Sequence, residues 1–247
     1  MVKDLLSHEE IIEKVKEHYR TRYENYRKID EEIKESEHRR HFGSKINELC
    51  RCYQKSINAL DIGCGTGRYF SYFHENVEKL VGIDVSMEML EIARNNPVDK
   101  ENIKVKNIEL VCADIFDAEF ADEEYDLICA IGVFGLKVPF NSYICNIIYQ
   151  MLKREGSLFL TIMDKKSIQI KNSFSYNLAK IIATYLSPVR KIFRHKLFSF
   201  YDFYMTENEI RQVFDKSEFE SIKITQYKPK VRYSIESLFE IIARKNK

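Results

Sequence analysis

Between residues 57 and 164, short apolar runs alternate with segments in which apolar positions recur every three to four residues. Such alternation is typical of parallel strands that helices cover on both faces of a sheet. The pattern therefore predicts an α/β fold with a doubly wound, mostly parallel sheet. The predicted strands are INALDIG, KLVGIDV, NIELVCAD, YDLICAIGVFG and SLFLTIMD, and the predicted helices are GRYFSYFHENV, SMEMLEIARNN and FNSYICNIIYQMLKREG.

Helical patterns flank this alternating region. Residues 8–50 are polar and helix-favouring, with an apolar rhythm that includes Ile12 and Tyr19, so we expect an N-terminal helical region over residues 1–56. Residues 165–205 interrupt the alternation, and their apolar spacing predicts a helical insert. Residues 206–247 are predicted to complete the sheet, with a helix TENEIRQVFDKS and the strands FESIKITQY and SLFEIIARK.

Two of the predicted helices begin at recognisable capping residues. Ser86 stands directly before MEMLEIARNN, where a serine hydroxyl can accept from a free backbone amide of the first turn. Thr206 and Glu209 have the spacing of a capping box, in which each side chain bonds the backbone of the other residue. Both positions therefore mark helix starts.

The composition is that of an ordinary globular protein, with 45% hydrophobic and 31% charged residues in a chain of 247. No apolar run approaches the ~18–20 residues that a bilayer span needs. The first residues lack the apolar core of a signal peptide, so we expect a cytoplasmic protein. The six cysteines are then expected to be reduced thiols, and because no cysteine or histidine cluster has metal-ligand spacing, no metal site is expected.

The net charge of +1 is unevenly distributed along the chain. Residues 165–205 contain eight lysines and arginines, one aspartate and many aromatic residues. This insert has three possible roles. It could cap the site of an anionic or aromatic substrate, contact nucleic acid or an anionic membrane surface, or pack its aromatic residues on the core with its lysines in water.

Three of the eight glycines of the chain lie in one short loop after the first predicted strand, Gly63-Cys64-Gly65-Thr66-Gly67. A Walker phosphate loop would continue with Gly-Lys-Ser/Thr, but Gly67 is followed by Arg68. The dinucleotide fingerprint G-x-G-x-x-G would need a glycine where Arg68 stands. The loop thus disfavours both nucleotide phosphates and a dinucleotide oxidoreductase.

Carboxylates end the first three predicted strands. Asp61 precedes the loop, where it would repel a pyrophosphate but suit a cationic group. Asp84 ends the second strand, 21 residues after Gly63, where an acidic side chain can bind both ribose hydroxyls. Asp114 ends the third strand and could accept from an adenine amino group. A nucleoside with a cationic, phosphate-free tail fits these positions, and S-adenosylmethionine is such a molecule.

The ordered motifs ALDIGCGTG, VGIDVSMEMLEIA, VCAD and YDLICAIGVFG resemble those of the class I S-adenosylmethionine-dependent methyltransferases. The resemblance covers residues 57–164 strongly and 206–247 more weakly. It implies a methyltransferase of the type that acts on small molecules, with a seven-stranded Rossmann-like sheet whose last strand is antiparallel. It also implies S-adenosylmethionine as cofactor and S-adenosylhomocysteine as product.

The resemblance assigns roles to individual residues. The glycines would lie along the methionine part of the cofactor. Tyr23 would belong to a lid that residues 1–56 form over it or, as part of a helical aromatic stripe with Tyr19 and Tyr26, to the core. The other implied contacts are Asp61 at the amino group, Asp84 at the ribose diol, Val85 and Met89 on the adenine, Asp114 and Ile115 at its N6 and N1, and Ile131 beside the cofactor, together with Gly63, Gly65 and Gly67.

The implied reaction is methyl transfer to a nitrogen, oxygen or carbon atom of a small, anionic or aromatic metabolite. AIGVFGLKVPF, at the end of the fourth strand, lacks the Asn/Asp-Pro-Pro-Tyr type of motif, which argues against methylation of amino groups on nucleic-acid bases. The candidate bases are His195, Tyr201 and Tyr204. The alternatives are a methyltransferase that acts on RNA, protein or lipid through the insert, and a binding protein without catalysis.

Three further charged residues are expected to lie in solvent or at the end of an element. Arg39 and Arg40 could meet the carboxylate of the cofactor, but a solvated helix face is the favoured interpretation. Asp126 precedes the fourth apolar run and is expected to be solvated or to cap an element.

Overall fold

A computed structural model of the chain describes residues 8–20, 36–116, 120–135, 138–166, 203–229 and 237–246. Within these ranges seven strands form one sheet. They are β1 (Ile57–Ile62), β2 (Val77–Asp84), β3 (Asn107–Cys112), β4 (Tyr125–Ala130), β5 (Leu152–Met163), β6 (Ser221–Tyr227) and β7 (Leu238–Arg244).

The strands lie in the spatial order β3-β2-β1-β4-β5-β7-β6. Neighbours among β1 to β5 pair in parallel, whereas β7 is antiparallel to both β5 and β6. The predicted doubly wound, Rossmann-like sheet with an antiparallel last strand is therefore confirmed. Because parallel strands all end at the same edge, the residues that follow β1, β2, β3 and β4 come together there.

Hydrophobic clusters cover both faces of the sheet, since successive residues of a strand point to opposite sides. In β1, Leu60 belongs to the cluster that includes Val15 and Ile144, whereas Ala59 belongs to the cluster that includes Phe42. These partners come from helices on the two faces. The described helices are α1 (His8–Arg20), α2 (Glu37–Arg51), α3 (Met87–Asn95), α4 (Ser142–Met151) and α5 (Glu207–Phe214).

The predicted capping residues begin α3 and α5. The Ser86 hydroxyl accepts from the amide of Met89 at 3.3 Å. The Thr206 hydroxyl accepts from the amide of Glu209 at 3.3 Å, and the Glu209 carboxylate accepts from the amide of Thr206 at 2.8 Å. Local sequence therefore located these two helix starts correctly.

The predicted helix GRYFSYFHENV is wrong, because this segment contains only a short 3-10 turn at Phe70–Tyr72. The amide of Tyr72 donates to the carbonyl of Tyr69 at 2.9 Å. An α-helix would instead use the carbonyl of Arg68, which accepts from Nε of Arg39 on α2 at 3.0 Å. The side chain of Arg39, which is distant in sequence, thus bonds to the carbonyl that an α-helix would use.

The helix after the fourth strand is also shorter than predicted, since α4 ends at Met151 and β5 begins at Leu152. Leu152 is fully buried and lies opposite Tyr125 of β4. Nζ of the buried Lys245 donates to the carbonyls of Tyr149 at 3.1 Å and of Leu152 at 2.7 Å. These bonds satisfy carbonyls at the end of α4, so the chain can turn directly into the strand.

The two ends of the predicted insert 165–205 meet beside the carboxyl end of β5. The amide of Lys165 donates to the carbonyl of Met205 at 3.0 Å, and the amide of Met205 donates to the carbonyl of Met163 at 3.1 Å. Residues 167–202 lie outside the described residues, so their helical structure and the division of the chain at 57, 165 and 206 stay predictions.

Candidate functional site

A cavity with two adjoining parts lies at the carboxyl edge of the parallel strands. The α1 chamber is lined by α1 and by the residues that follow β2 and β3, including Ile12, Val15, Tyr19, Val85, Asp114 and Ile115. The loop chamber is lined by the glycine loop and by residues from α2, β5 and β7, including His38, Asp61, Arg68, Phe134, Thr161, Met163 and Leu238. Tyr19, Gly63, Asp84 and Gly132 line both chambers.

The glycine loop has a backbone that side chains would not tolerate. Gly63 has φ +65°, and a Cβ there would overlap the side chain of Val133. Gly67 has φ +74°, and a Cβ there would lie 2.7 Å from the ring of Phe70. These left-handed conformations let the chain turn sharply out of β1 while its backbone faces the cavity.

Asp84 links this loop to the end of β2. Its Oδ2 accepts from the amide of Gly65 at 3.0 Å, and its Oδ1 accepts from the amide of Ser86 at 2.9 Å. Burial raises the pKa of the Asp84 carboxyl to about 6, although the two amide donors oppose that rise. The carboxylate is thus held in one orientation on the wall that both chambers share.

Asp61, in β1 directly before the loop, is a buried carboxylate that is 3% exposed. Its Oδ2 has no hydrogen-bond partner among the described residues. Burial, together with the nearby charge of Asp84, raises the pKa of Asp61 to about 8. A buried acceptor without a partner destabilises the free protein, and a cationic donor in the loop chamber would satisfy it.

The α1 chamber combines one acidic side chain with apolar walls. Asp114 is 8% exposed, and its Oδ1 accepts from the amide of Phe116 at 3.2 Å. Val85 and Ile115 lie beside it, and Val15 of α1 faces the same space. A flat apolar ring with a polar edge has the chemistry to fill this chamber.

The structure brings most of the residues predicted to contact a cofactor into this one cavity. Gly67 does not line it, because it lies behind the loop against Phe70 and Pro97. Tyr23 lies outside the described residues. The predicted residues that line the chambers are Asp61, Gly63, Gly65, Asp84, Val85, Met89, Asp114, Ile115 and Ile131.

The candidate bases are less well placed. His195 and Tyr201 lie outside the described residues. Tyr204 is half-buried and packs against a hydrophobic cluster that includes Met163, but it lines neither chamber.

Sequence reasoning missed the side chains that reach the loop chamber from distant parts of the chain, among them His38, Thr161 and Leu238. The hydroxyl of Thr161 accepts from the amide of Gly132 at 2.9 Å and so supports the turn after β4. No local pattern marks these residues, because only the packing of α2 and the pairing of β7 with β5 bring them to the site.

Two charged residues lie where the sequence did not predict them. Arg39 is 2% exposed rather than solvated, and its guanidinium donates to the carbonyl of Arg68 and, at 3.0 Å, to the hydroxyl of Ser71. Asp126 is also buried, because it pairs with Lys55 at 3.0 Å and Lys153 at 2.8 Å. Both expectations were wrong because partners distant in sequence make burial of the charge possible.

Residues 59–156 match a family model described as a methyltransferase domain. The demethylmenaquinone methyltransferase of Staphylococcus aureus (strain MRSA252) is 34% identical over 87 residues, which are 34% of this chain and 33% of that protein. The chain thus spans about a third of the length of the curated relatives it matches.

Solved structures of similar fold cover more of the chain. Magnesium protoporphyrin IX methyltransferase from Synechocystis, with bound S-adenosylhomocysteine, has a TM-score of 0.65 at 15% identity and covers 96% of this chain and 100% of its own. An N-methyltransferase from Haemonchus contortus is in complex with phosphomonomethylethanolamine and S-adenosylhomocysteine. It has a TM-score of 0.60 at 14% identity, and the match covers 84% of this chain and 53% of that protein. The fold is that of the class I methyltransferases.

Three further observations concern the described ranges and their gaps. No helix in them has both the length and the hydropathy needed to cross a membrane. No group of three or more histidine, cysteine, aspartate and glutamate side chains in them could hold a metal ion. The six cysteines are all free thiols.

Proposed function

We propose that this chain, whose residues 59–156 match a methyltransferase domain model, transfers a methyl group from S-adenosylmethionine to a small molecule. The observation that carries the proposal is the pair of carboxylates at the glycine loop, Asp61 with an unpartnered oxygen and Asp84 with a fixed orientation. A cofactor with an ammonium group and a ribose diol satisfies both.

The residues of the cavity fit that cofactor. Asp61 accepts from the ammonium group, which supplies the hydrogen-bond donor and the positive charge that this buried oxygen lacks. Asp84 accepts from the ribose hydroxyls at the wall shared by the chambers. Asp114 and the apolar residues of the α1 chamber, Val85 and Ile115, hold the adenine.

S-adenosylmethionine supplies a methyl group that is already activated by a sulfonium, so the protein has to align the acceptor and exclude water. The glycine loop and Asp84 fix one end of the cavity, which sets the position of the reacting centre. Phe134, Met163 and Leu238 give the loop chamber apolar walls that keep water away and suit an acceptor with an apolar or aromatic body.

The names of two of the three similar proteins support an acceptor of this kind, whereas the third is in complex with phosphomonomethylethanolamine, a small molecule without a ring. One is a demethylmenaquinone methyltransferase and another is a magnesium protoporphyrin IX methyltransferase, so both are named for molecules with conjugated ring systems. We therefore propose a small aromatic acceptor rather than a macromolecule for this chain.

Cofactor binding can be tested without knowledge of the acceptor. We expect S-adenosylhomocysteine to raise the melting temperature of the wild type, and Asp84→Ala to remove that increase, because both carboxylate oxygens at the ribose position are lost. The matched control is Glu91→Ala, since Glu91 is exposed on α3 and lines neither chamber.

NADH serves as the control ligand and is expected to leave the melting temperature unchanged. If S-adenosylhomocysteine gives no increase in the wild type, or if Asp84→Ala retains the full increase, the proposal is wrong.

A further inference from the structure

His38 is a histidine on the wall of the loop chamber that the proposed function does not yet use. It lies in the first turn of α2 (Glu37–Arg51). Its ring packs edge-on against Phe42, with centroids 4.6 Å apart, and against Tyr227 at 5.8 Å. Neither ring nitrogen bonds to any residue in the part of the chain that the structure describes, so a molecule in the chamber can use them.

Burial, with a smaller contribution from nearby charges, keeps the imidazole of His38 neutral. Burial, Arg68 and His41 lower the pKa of His38 to about 4, in that order of importance. His41 bonds to Glu240 and stacks on Tyr227, so its own hydrogen bond is made outside the chamber. At neutral pH His38 therefore presents one N–H donor and one lone-pair acceptor without adding positive charge to the chamber.

The rest of the chamber indicates which part of a reaction His38 could serve. Asp61 and the glycine loop form one side, where the proposed function places the ammonium end of the cofactor. Phe134, Met163 and Leu238 give the chamber an apolar wall, and Arg68 and Thr161 add polar groups to its lining. His38 thus presents a neutral, weakly basic nitrogen to a chamber with an apolar wall, where the acceptor would have to meet the methyl group.

We propose that His38 accepts the proton of the methyl acceptor, and that this acceptor is an aromatic compound with a hydroxyl group. The inference rests on the proposed function. It assigns the acceptor class from the chemistry of the chamber, which offers a hydrogen-bond acceptor to an O–H donor and apolar walls to a ring.

The reaction balances in atoms and charge. The acceptor oxygen forms a bond to the methyl carbon while the bond from that carbon to sulfur breaks, and its electron pair stays on sulfur. The hydroxyl proton passes to the free ring nitrogen of His38. A hydroxyl oxygen that is being methylated becomes far more acidic than an imidazolium, so a weakly basic imidazole suffices. The single positive charge moves from sulfur to His38 and later leaves as a proton.

The position of His38 can be tested with a pair of cofactor analogues that differ in charge. Sinefungin carries an amine-bearing carbon, cationic at neutral pH, in place of the sulfonium, whereas S-adenosylhomocysteine has a neutral sulfur. A cation introduced by His38→Lys should weaken the binding of sinefungin at least about fivefold more than that of S-adenosylhomocysteine. The neutral variant His38→Gln should leave the ratio of the two dissociation constants, measured by calorimetry, unchanged.

The acceptor class is tested with phenol and anisole, in which a methyl group replaces the hydroxyl proton and removes the hydrogen-bond donor. In the complex with S-adenosylhomocysteine, the wild type should bind phenol at least about threefold more tightly than anisole, as a neutral hydrogen bond predicts. His38→Phe, which keeps an aromatic ring but has no nitrogen, should lose this preference.

The outcomes separate the two proposals. Failure of the wild type to bind S-adenosylhomocysteine contradicts the proposed function itself. An unchanged analogue ratio in His38→Lys means that His38 does not face the reacting centre. Equal binding of phenol and anisole, or no binding of either, rejects the assigned acceptor class. If His38→Lys does not fold, the phenol preference and its loss in His38→Phe decide the matter.

Discussion

At the scale of single residues, the site contains a buried carboxylate oxygen, Oδ2 of Asp61, with no hydrogen-bond partner in the described part of the chain. Asp61 is almost fully buried, and its raised pKa shows that the ionised form is disfavoured there. The protein thus trades stability for a site that a cationic donor satisfies. The fixed carboxylate of Asp84 beside it adds to that effect, because like charges repel.

We expect Asp61→Asn to weaken the binding of S-adenosylhomocysteine about 10- to 100-fold, since a charged hydrogen bond to the ammonium group is lost. In the wild type, affinity should increase between about pH 6 and pH 8, because the ligand binds the ionised form of Asp61. Calorimetry at several pH values measures both effects. A variant with unchanged affinity, or one with the same pH slope as the wild type, would show that Asp61 does not bind the ammonium group.

Asp61→Asn, which should weaken ligand binding, should by contrast stabilise the folded protein in the absence of ligand. The pKa of Asp61 is higher in the folded than in the unfolded chain, so its contribution to stability is lost as pH rises through about 8. Asp61→Asn should therefore gain unfolding free energy relative to the wild type between about pH 5 and pH 8. Urea unfolding at the two pH values provides the comparison.

At the scale of elements, α2 holds the segment that follows the glycine loop through one buried arginine. Arg39 bonds to the carbonyl of Arg68 and the hydroxyl of Ser71, and it pairs with Asp99 at 3.5 Å. Its guanidinium also lies 4.9 Å from the centre of the Tyr72 ring. These contacts join a helix, a turn and the loop after α3, so the position of the glycine loop depends on the packing of α2.

We expect Arg39→Met to lower the free energy of unfolding by about 2–4 kcal/mol, because the partly buried carbonyl of Arg68 and hydroxyl of Ser71 lose a charged donor and the ion pair with Asp99 is lost. Binding of S-adenosylhomocysteine at a temperature where the variant is folded should weaken as well, since the loop loses its support. Urea unfolding and calorimetry are the measurements.

The control for Arg39 is its neighbour on the exposed face of the same helix. Arg40→Met removes the same charge from an exposed position and should change stability by no more than about 0.5 kcal/mol. Equal effects of the two substitutions would contradict the role assigned to Arg39.

At the scale of the whole molecule, β7, the last of the described strands, lies inside the sheet rather than at its edge. β7 pairs with β5 on one side and β6 on the other, from Leu238 to Arg244. Its residues Ile241 and Ala243 are fully buried, and Leu238 lines the loop chamber. Strand β7 therefore contributes to both the core and the site.

A chain that ends at Tyr227 should not fold, although it retains the whole segment that matches the methyltransferase domain model. Without β7, strand β6 has no partner, and β5 exposes one edge and its buried neighbours. We expect no cooperative thermal transition by circular dichroism and no binding of S-adenosylhomocysteine. As a control, Arg244→Ser changes an exposed residue of β7 and should retain both properties. A cooperative transition in the shortened chain would show that β7 is dispensable.

Much of the fold and part of the site could be predicted because their causes are local or periodic. Apolar runs predicted the strands, Ser86 and Thr206 marked helix starts, and the glycines predicted the loop. Asp61, Asp84 and Asp114 could be placed together because parallel strands all end at one edge of a sheet. Sequence alone thus determined the α/β class and the acidic lining of the cavity.

Tertiary structure decided everything that depends on partners distant in the chain. Arg39 bonds to the carbonyl of Arg68, which a helix after the glycine loop would need, and the segment forms a 3-10 turn instead. Lys245 bonds to the carbonyl of Leu152, where α4 ends earlier than predicted. His38 and Leu238 reach the loop chamber only because α2 packs on the sheet and β7 inserts between β5 and β6. Burial and hydrogen-bond competition between remote segments have no signature in local periodicity, so these features emerge only when the chain is folded.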